Sequence, residues 1–181
     1  MPRHALLLGL LLLIGCAPLQ STAQSAEAPT VFFLVRHAEK QAGSDPSLTP
    51  EGRARATALR DALIEAHVDH VVASQFARTR ETAQPLADTL GLPVEARPLD
   101  TADVVASAQA VVLALAENYR GQTIVVAGHS NTIPAMVGAL MGTDLPEWDE
   151  RDYDNLMIVL LPPDEPPQLI RARYGAPDPV P

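Results

Sequence analysis

Cysteine occurs once in 181 residues, at Cys16, so no disulfide can close within the chain and a redox pair is excluded. Basic residues are also scarce. Thirteen Lys and Arg stand against 22 Asp and Glu, a formal charge of −9, which argues against a nucleic-acid partner because such a protein needs a basic face. No internal repeat is evident, so a solenoid is not expected. The apolar stretch Ala5 to Ile14 is too short to span a bilayer stably. What is present suits a globular enzyme or binding domain: with 47% hydrophobic residues the chain can bury one sizeable core, and it is short for two domains.

The apolar stretch follows Arg3 and His4 and has the length of a secretory signal's hydrophobic region. Two cleavage sites compete. Leu13-Ile14-Gly15-Cys16 resembles a bacterial lipobox, which would remove residues 1–15 and leave Cys16 as an acylated N-terminus. Ser21-Thr22-Ala23 suits ordinary signal peptidase, which would remove residues 1–23. Acylation also accounts for the lone cysteine, so the expected product is exported and periplasmic, held on the membrane by a lipid anchor. Residues 16–29 then read as a flexible tether rich in Ser, Ala, Gln and Pro. Residues 30–175 form the folded domain, and the Pro-rich residues 176–181 form a disordered tail.

Within the domain, apolar runs alternate with helical patterns. Val31 to Val35, Val71 to Ala73 and Thr123 to Ala127 read as buried strands. Thr49 as N-cap with Pro50 at N1 and Glu51 behind it predicts a helix through about Ala66. That helix places Ala56, Leu59, Leu63 and Ala66 on the core side and Arg53, Arg55, Arg60 and Asp61 in water. Further helices are predicted from about Ala77 to Leu90, ended by Gly91 and kinked at Pro85, from about Val104 to Tyr119, and from about Pro134 to Met141. Leu156 to Leu161 and Leu169 to Tyr174 read as a closing strand pair at one edge. The fold class expected is three-layer α/β, a mostly parallel sheet with helices on both faces.

Three of these segments end in chemistry. The strand Val31 to Val35 stops at Arg36-His37, the run Val71 to Ala73 leads into a helix bearing Arg78, and the strand Thr123 to Ala127 stops at Gly128-His129. Ligands of open α/β sheets bind beyond the carboxyl ends of the strands. Two Arg and two His are therefore delivered to one crevice, where guanidinium forks can neutralise a phosphate dianion and an imidazole kept neutral by them can act as nucleophile.

Arg36-His37, Arg78-x-x-x-Thr82-Ala83 and Gly128-His129-Ser130 stand in the order and context of the histidine phosphatase superfamily, the phosphoglycerate-mutase-like fold. The chain resembles its compact branch, the small phosphohistidine phosphatases. The similarity includes Ser47-Leu48-Thr49-Pro50-Glu51-Gly52 and runs from about Val31 to about Tyr174, with Ala38 where the family more commonly has Gly. The resemblance implies that His37 is the nucleophile and that Arg36, Arg78 and His129 form the phosphate pocket, with no cofactor and no metal. Arg beside each His also repels a dication. Relatives draw a proton donor from the segment after the Arg-bearing helix; here that points first to Asp103 and then to Asp100, although either could cap the next helix. Glu39 is a third candidate, or a solvated partner of Lys40. Ser130 and Asn131 either bind phosphate or cap the helix at Pro134. His67 and His70 read as ordinary polar residues, and the acidic run from Glu147 to Asp154 as a solvated loop rather than a selectivity rim.

Between Arg78 and His129 a helix end, a strand and another helix leave no room for a large cap. An open pocket favours hydrolysis over mutase action. The expected activity is that of a metal-independent, acid-type histidine phosphatase acting on a phosphorylated small molecule, such as a sugar phosphate, or on an envelope phosphate. The alternatives are a catalytically silent lipoprotein that binds phosphorylated ligands, or a phosphoglycerate-mutase-type phosphotransferase.

Overall fold

The computed structural model describes residues 28–178. The expected signal, both cleavage sites, Cys16 and nearly all of the tether lie outside the described residues.

The element order is β1 (Thr30–Arg36), α1 (Pro50–Leu63), β2 (His70–Ala73), α2 (Ala77–Leu90), β3 (Val94–Ala96), α3 (Val104–Asn118), β4 (Thr123–Gly128), α4 (Thr132–Met141), β5 (Asn155–Leu161) and β6 (Gln168–Arg173). The strands make one six-stranded sheet in the order β3-β2-β4-β1-β5-β6. β1 to β4 are mutually parallel, and β5 and β6 close the edge as an antiparallel pair. The fold class expected from the alternation of strands and helices is the one observed.

Strand β1 explains the layering. Its alternate side chains Phe32 and Leu34 join Val112, Leu115, Ile133 and Val137 in the core beneath α3 and α4. Val35 points the other way and joins Leu59, Leu63 and Leu86 beneath α1 and α2. A strand covered on both sides must be apolar throughout, and each such side chain contributes roughly 1.5–3 kcal/mol by leaving water. Among the described residues no helix is long and apolar enough to cross a membrane.

Local signals account for most of the helix ends. The Thr49 hydroxyl caps α1 by accepting from the Gly52 N–H at 3.1 Å. Gly91 ends α2 in the left-handed region at φ 68°, where glycine escapes the penalty other residues incur. The α1 helix stops at Leu63 rather than Ala66, α4 starts two residues before Pro134, and α2 continues unbroken through Pro85. Pro134 stands in the first turn of α4, where its missing N–H forfeits no helical bond.

Two expectations are corrected. Arg55 is buried rather than solvated, because Glu39 grips it through both carboxylate oxygens and the carbonyls of Tyr174 and Ala176 accept from its Nη1. The C-terminal segment is not a free tail from 176 onward. Asp178 folds back to accept from the backbone N–H groups of Tyr153 and Asp154, at 2.8 and 3.0 Å, so the domain extends at least to Asp178.

Candidate active site

The parallel register aligns the carboxyl ends of the three central strands. Arg36 lies opposite Gly128 and Ala73 opposite Ala127, so the residues that follow, His37, Ser74 and His129, emerge side by side. The His37 N–H donates to the Gly128 carbonyl at 2.9 Å, and the two imidazole centroids are 5.4 Å apart. Gly128 permits this junction: a Cβ there would lie 2.7 Å from Ile133 Cδ1 and 2.9 Å from Thr132 Oγ1. Ala38, in place of glycine, is accommodated in a small core with Leu48 and Ala56.

The tautomer of His37 is fixed by its own backbone neighbour. Nδ1 lies 2.8 Å from the Ala38 carbonyl; a carbonyl only accepts, so Nδ1 carries the hydrogen and Nε2 keeps its lone pair. Burial lowers the His37 pKa to about 3, against the opposing pull of the Ala38 hydrogen bond, with further lowering by Arg36, His129 and Arg78. His37 is therefore a neutral imidazole throughout the neutral range.

His129 is oriented by a chain of hydroxyls. Thr79 donates to the Phe76 carbonyl at 2.8 Å, which leaves its oxygen to accept from Ser74, 2.8 Å away. Ser74 Oγ, its hydrogen thus committed, accepts from His129 Nε2 at 3.0 Å. The lone pair of His129 is then on Nδ1, which faces Arg78 Nη2 at 3.4 Å. Burial first, then Arg78 and Arg36, lower the His129 pKa to about 4.

The two arginines are held by their flat faces, which leaves their edges for ligands. Arg36 stacks on Tyr153 at 4.2 Å and Arg78 on Phe76 at 4.4 Å. Arg36 Nη1 donates to the carbonyls of Asp149 and Asp152, and Nη2 to the Glu150 carboxylate at 3.0 Å. Arg78 has Asp45 at 3.7 Å, and Asp45 also accepts from the Ala77 N–H at the start of α2. The Nε atoms of both arginines are buried with no hydrogen-bond partner among the described residues. The two guanidinium groups line one cleft and give an acceptor-rich anion a charge-matched seat. Thr82 ties the two halves together, accepting from the Ala38 N–H and donating to the Arg78 carbonyl.

Arg36, His37, Arg78, His129 and Ser130 line one cleft of about 320 Å³, together with Lys40, Glu147 and Glu150. The four motif residues come together as expected. A second cleft of about 360 Å³, near Thr30 and Leu161 at the opposite end of the sheet, contains no histidine. Asp103 and Asp100 do not line the active cleft. The first caps α3, accepting from the Ala106 N–H at 3.0 Å, and the second accepts from the Ala102 N–H at 2.9 Å. Glu39 is not a solvated partner of Lys40 but the half-buried counter-ion of the buried Arg55. Asn131 precedes α4 without a side-chain cap. Ser130 points its hydroxyl toward Glu150 at 3.5 Å. His70 is more than an ordinary polar residue: it bonds Glu95 and Gln122 and stacks on Tyr119, away from the cleft.

The acidic run is corrected from a solvated loop to a wall of the site. Its Trp148 N–H donates to the Ser130 carbonyl and its Asp149 and Asp152 carbonyls hold Arg36. Sequence reasoning also missed the supporting roles of Ser74, Thr79 and Tyr153. A serine immediately after a buried strand was the available signal for the first. Among the described residues no three His, Cys, Asp or Glu side chains gather as a metal site.

Several solved structures share the fold. A protein described as mycobacterial hydrolase 1 is 18% identical with a TM-score of 0.65, covering 82% of this chain and all of its own. A mycobacterial glucosyl-3-phosphoglycerate phosphatase is 16% identical with a TM-score of 0.63, covering 81% and 100%. The protein histidine phosphatase SixA, solved with tungstate, is 21% identical with a TM-score of 0.62, covering 79% and 96%. No curated protein matches the sequence significantly. The family model of the histidine phosphatase superfamily, branch 1, matches residues 32–99 and 100–172. With that match spanning most of the domain and both motif histidines within it, the chain belongs to the histidine phosphatase superfamily.

Proposed function

We propose that the protein is an exported phosphatase that hydrolyses phosphomonoesters through a phosphohistidine at His37. The observation that carries this reading is the neutral imidazole with its Nε2 lone pair free, in one cleft with two stacked arginines. A phosphate dianion seated on Arg36 and Arg78 presents phosphorus to Nε2. The N–P bond forms as the ester P–O bond breaks, and the leaving alkoxide takes a proton from water in the cleft and departs as the alcohol. Water then cleaves the N–P bond and releases phosphate, so one displacement becomes two easier ones. Between Arg78 and His129 the chain supplies only the rest of α2, then β3, α3 and β4, with no inserted cap to keep an intermediate from water, which favours hydrolase over mutase. Histidines that stay neutral to about pH 4 agree with an acid-type phosphatase.

A sugar phosphate or envelope phosphate is the substrate class we favour. The solved glucosyl-3-phosphoglycerate phosphatase carries a sugar-phosphate substrate in its name, while an export signal at Arg3 to Ile14 argues against cytoplasmic phosphorelay proteins. The lipobox at Cys16 supports membrane attachment. Incubating residues 24–181 with p-nitrophenyl phosphate, with and without EDTA, tests the activity; turnover is expected in both. His37→Ala should abolish turnover while phosphate still binds, and rapid quenching of wild type should trap an acid-labile, base-stable phosphoprotein. A variant keeping more than about a tenth of the wild-type rate would overturn the nucleophile assignment. Binding of phosphoesters without any turnover would favour the silent docking lipoprotein. For location, Cys16→Ser should stop incorporation of labelled palmitate and release the protein from the membrane fraction. A soluble wild-type protein beginning at Gln24 would overturn the anchor.

A further inference from the structure

Glu150 is the least expected member of the cleft. Its side chain is 81% exposed, yet its carboxylate lies 3.0 Å from the Nη2 of Arg36, itself only 1% exposed. The other oxygen lies 3.5 Å from the Ser130 hydroxyl. An anion of the protein thus sits on donors that a phosphate dianion would use. The two cannot share Arg36 without placing carboxylate and phosphate oxygens side by side.

The loop around Glu150 is fixed by its backbone. Trp148 donates to the Ser130 carbonyl, and the Asp149 and Asp152 carbonyls engage Arg36. Displacement therefore moves the exposed carboxylate and not its anchor, and Glu150 stays at the rim beside the bound phosphate. Charge then becomes the deciding quantity. Arg36, Lys40, Glu147 and Glu150 line the cleft with Arg78, and with Asp45 3.7 Å from Arg78 the cations and carboxylates balance while both histidines are neutral. A phosphate dianion therefore leaves the cleft with negative charge in excess and strips Glu150 of its cation. A positive charge on the alcohol part of the substrate reduces that excess and takes the place of Arg36 as the carboxylate's partner.

We propose, on the reading of this cleft as a phosphomonoesterase site, that Glu150 is a specificity residue selecting phosphate esters of amino alcohols. The carboxylate exchanges Arg36 for the ammonium group carried a few bonds beyond the ester oxygen. Against esters with uncharged alcohols it acts as a competitor for Arg36, because nothing compensates its displacement.

Binding is measured by calorimetry on the His37→Ala protein with phosphoethanolamine and with propyl phosphate, then repeated with Glu150→Gln added. Because it needs no turnover, this arm separates the inference from the phosphatase reading, which p-nitrophenyl phosphate hydrolysis by wild type tests independently. With Glu150 present, phosphoethanolamine should bind about fivefold tighter than propyl phosphate, the size of an exposed ion pair. Glu150→Gln should erase that preference and tighten propyl phosphate. Equal binding of the two ligands with Glu150 present, or a Glu150→Gln change that shifts both by the same factor, would overturn the inference. A protein that hydrolyses p-nitrophenyl phosphate but shows either result keeps its phosphatase reading and loses only this one.

Discussion

One hydroxyl, that of Ser74, settles which nitrogen of His129 carries the hydrogen. The chain from Thr79 through Ser74 commits Nε2 as donor and turns the Nδ1 lone pair toward Arg78. Ser74→Ala leaves that N–H without an acceptor and frees the ring to adopt the other tautomer or to rotate. We expect about a tenfold fall in kcat/KM, the scale of one buried hydrogen bond at a reacting site, with little change in fold because the side chain lost is small. Nitrogen NMR shifts of His129 should change from the Nε2–H pattern in the variant. Unchanged shifts with a rate within about twofold of wild type would show the hydroxyl chain to be structural only. At this scale the sequence was legible where chemistry is tied to a strand end: Arg36, His37 and His129 follow apolar runs too hydrophobic to be anything but buried strands. Ser74 was not, since a hydroxyl at a strand end also suits an ordinary turn, and only its distance to a residue 55 positions away reveals the role.

At the scale of elements, the candidate proton donor Asp103 proves to be the start of α3. Its carboxylate accepts from Ala106 N–H outside the cleft, so Asp103→Ala should cost about 1 kcal/mol of stability by uncapping the helix. Rates on good and poor leaving groups should fall, if at all, by one common factor; a selective loss on poor leaving groups would restore the donor role. A second element-level device joins α1, the end of β1 and the C-terminal segment. Arg55 holds Glu39, the Tyr174 and Ala176 carbonyls, and Asp178, while Asp178 clamps the backbone of Tyr153, on which Arg36 stacks. Arg55→Ala leaves the half-buried Glu39 carboxylate unpaired, a loss of roughly 1.5–3 kcal/mol, the scale of hydrogen bonds to a charged group. Urea denaturation should show that loss, and a variant within about 1 kcal/mol of wild type would mean that water replaces the guanidinium. Helical periodicity placed Arg55 on a wet face because it registers only the helix itself. The covering strap comes from more than a hundred residues downstream, beyond the reach of any local pattern. Gly52 was legible as part of a motif, but its reason is spatial: a Cβ there would lie 2.1 Å from the Glu39 carbonyl.

For the whole molecule, the mostly parallel sheet and its two-faced packing followed from alternation of buried strands with helices, whereas the strand order and the folding of the acidic loop onto Arg36 did not. A run dense in Asp and Glu reads as solvated until a buried cation is placed beneath it, and that placement depends on β1 and β5 pairing. The same burial sets the response to acid. His37 and His129 have folded pKa values of about 3 and about 4, while an unfolded chain binds those protons near pH 6.5. Between pH 6.5 and 4 the unfolded state therefore holds more protons than the native state, so stability falls as pH falls, by up to about 1.4 kcal/mol per pH unit for each histidine. The slope fades above pH 7, as the unfolded chain gives up its remaining histidine protons. Urea midpoints of the wild type should accordingly drop between pH 7 and pH 5, a window above the ordinary range of most carboxylates. Replacing both histidines by Gln should flatten that drop, because Gln carries no proton in either state. The His37 and His129 NMR resonances of the folded protein should meanwhile stay at their neutral positions to pH 5. An equal drop in wild type and double variant, or His37 or His129 resonances titrating near pH 6.5, would show that burial in the cleft does not lower the affinity of these imidazoles for protons.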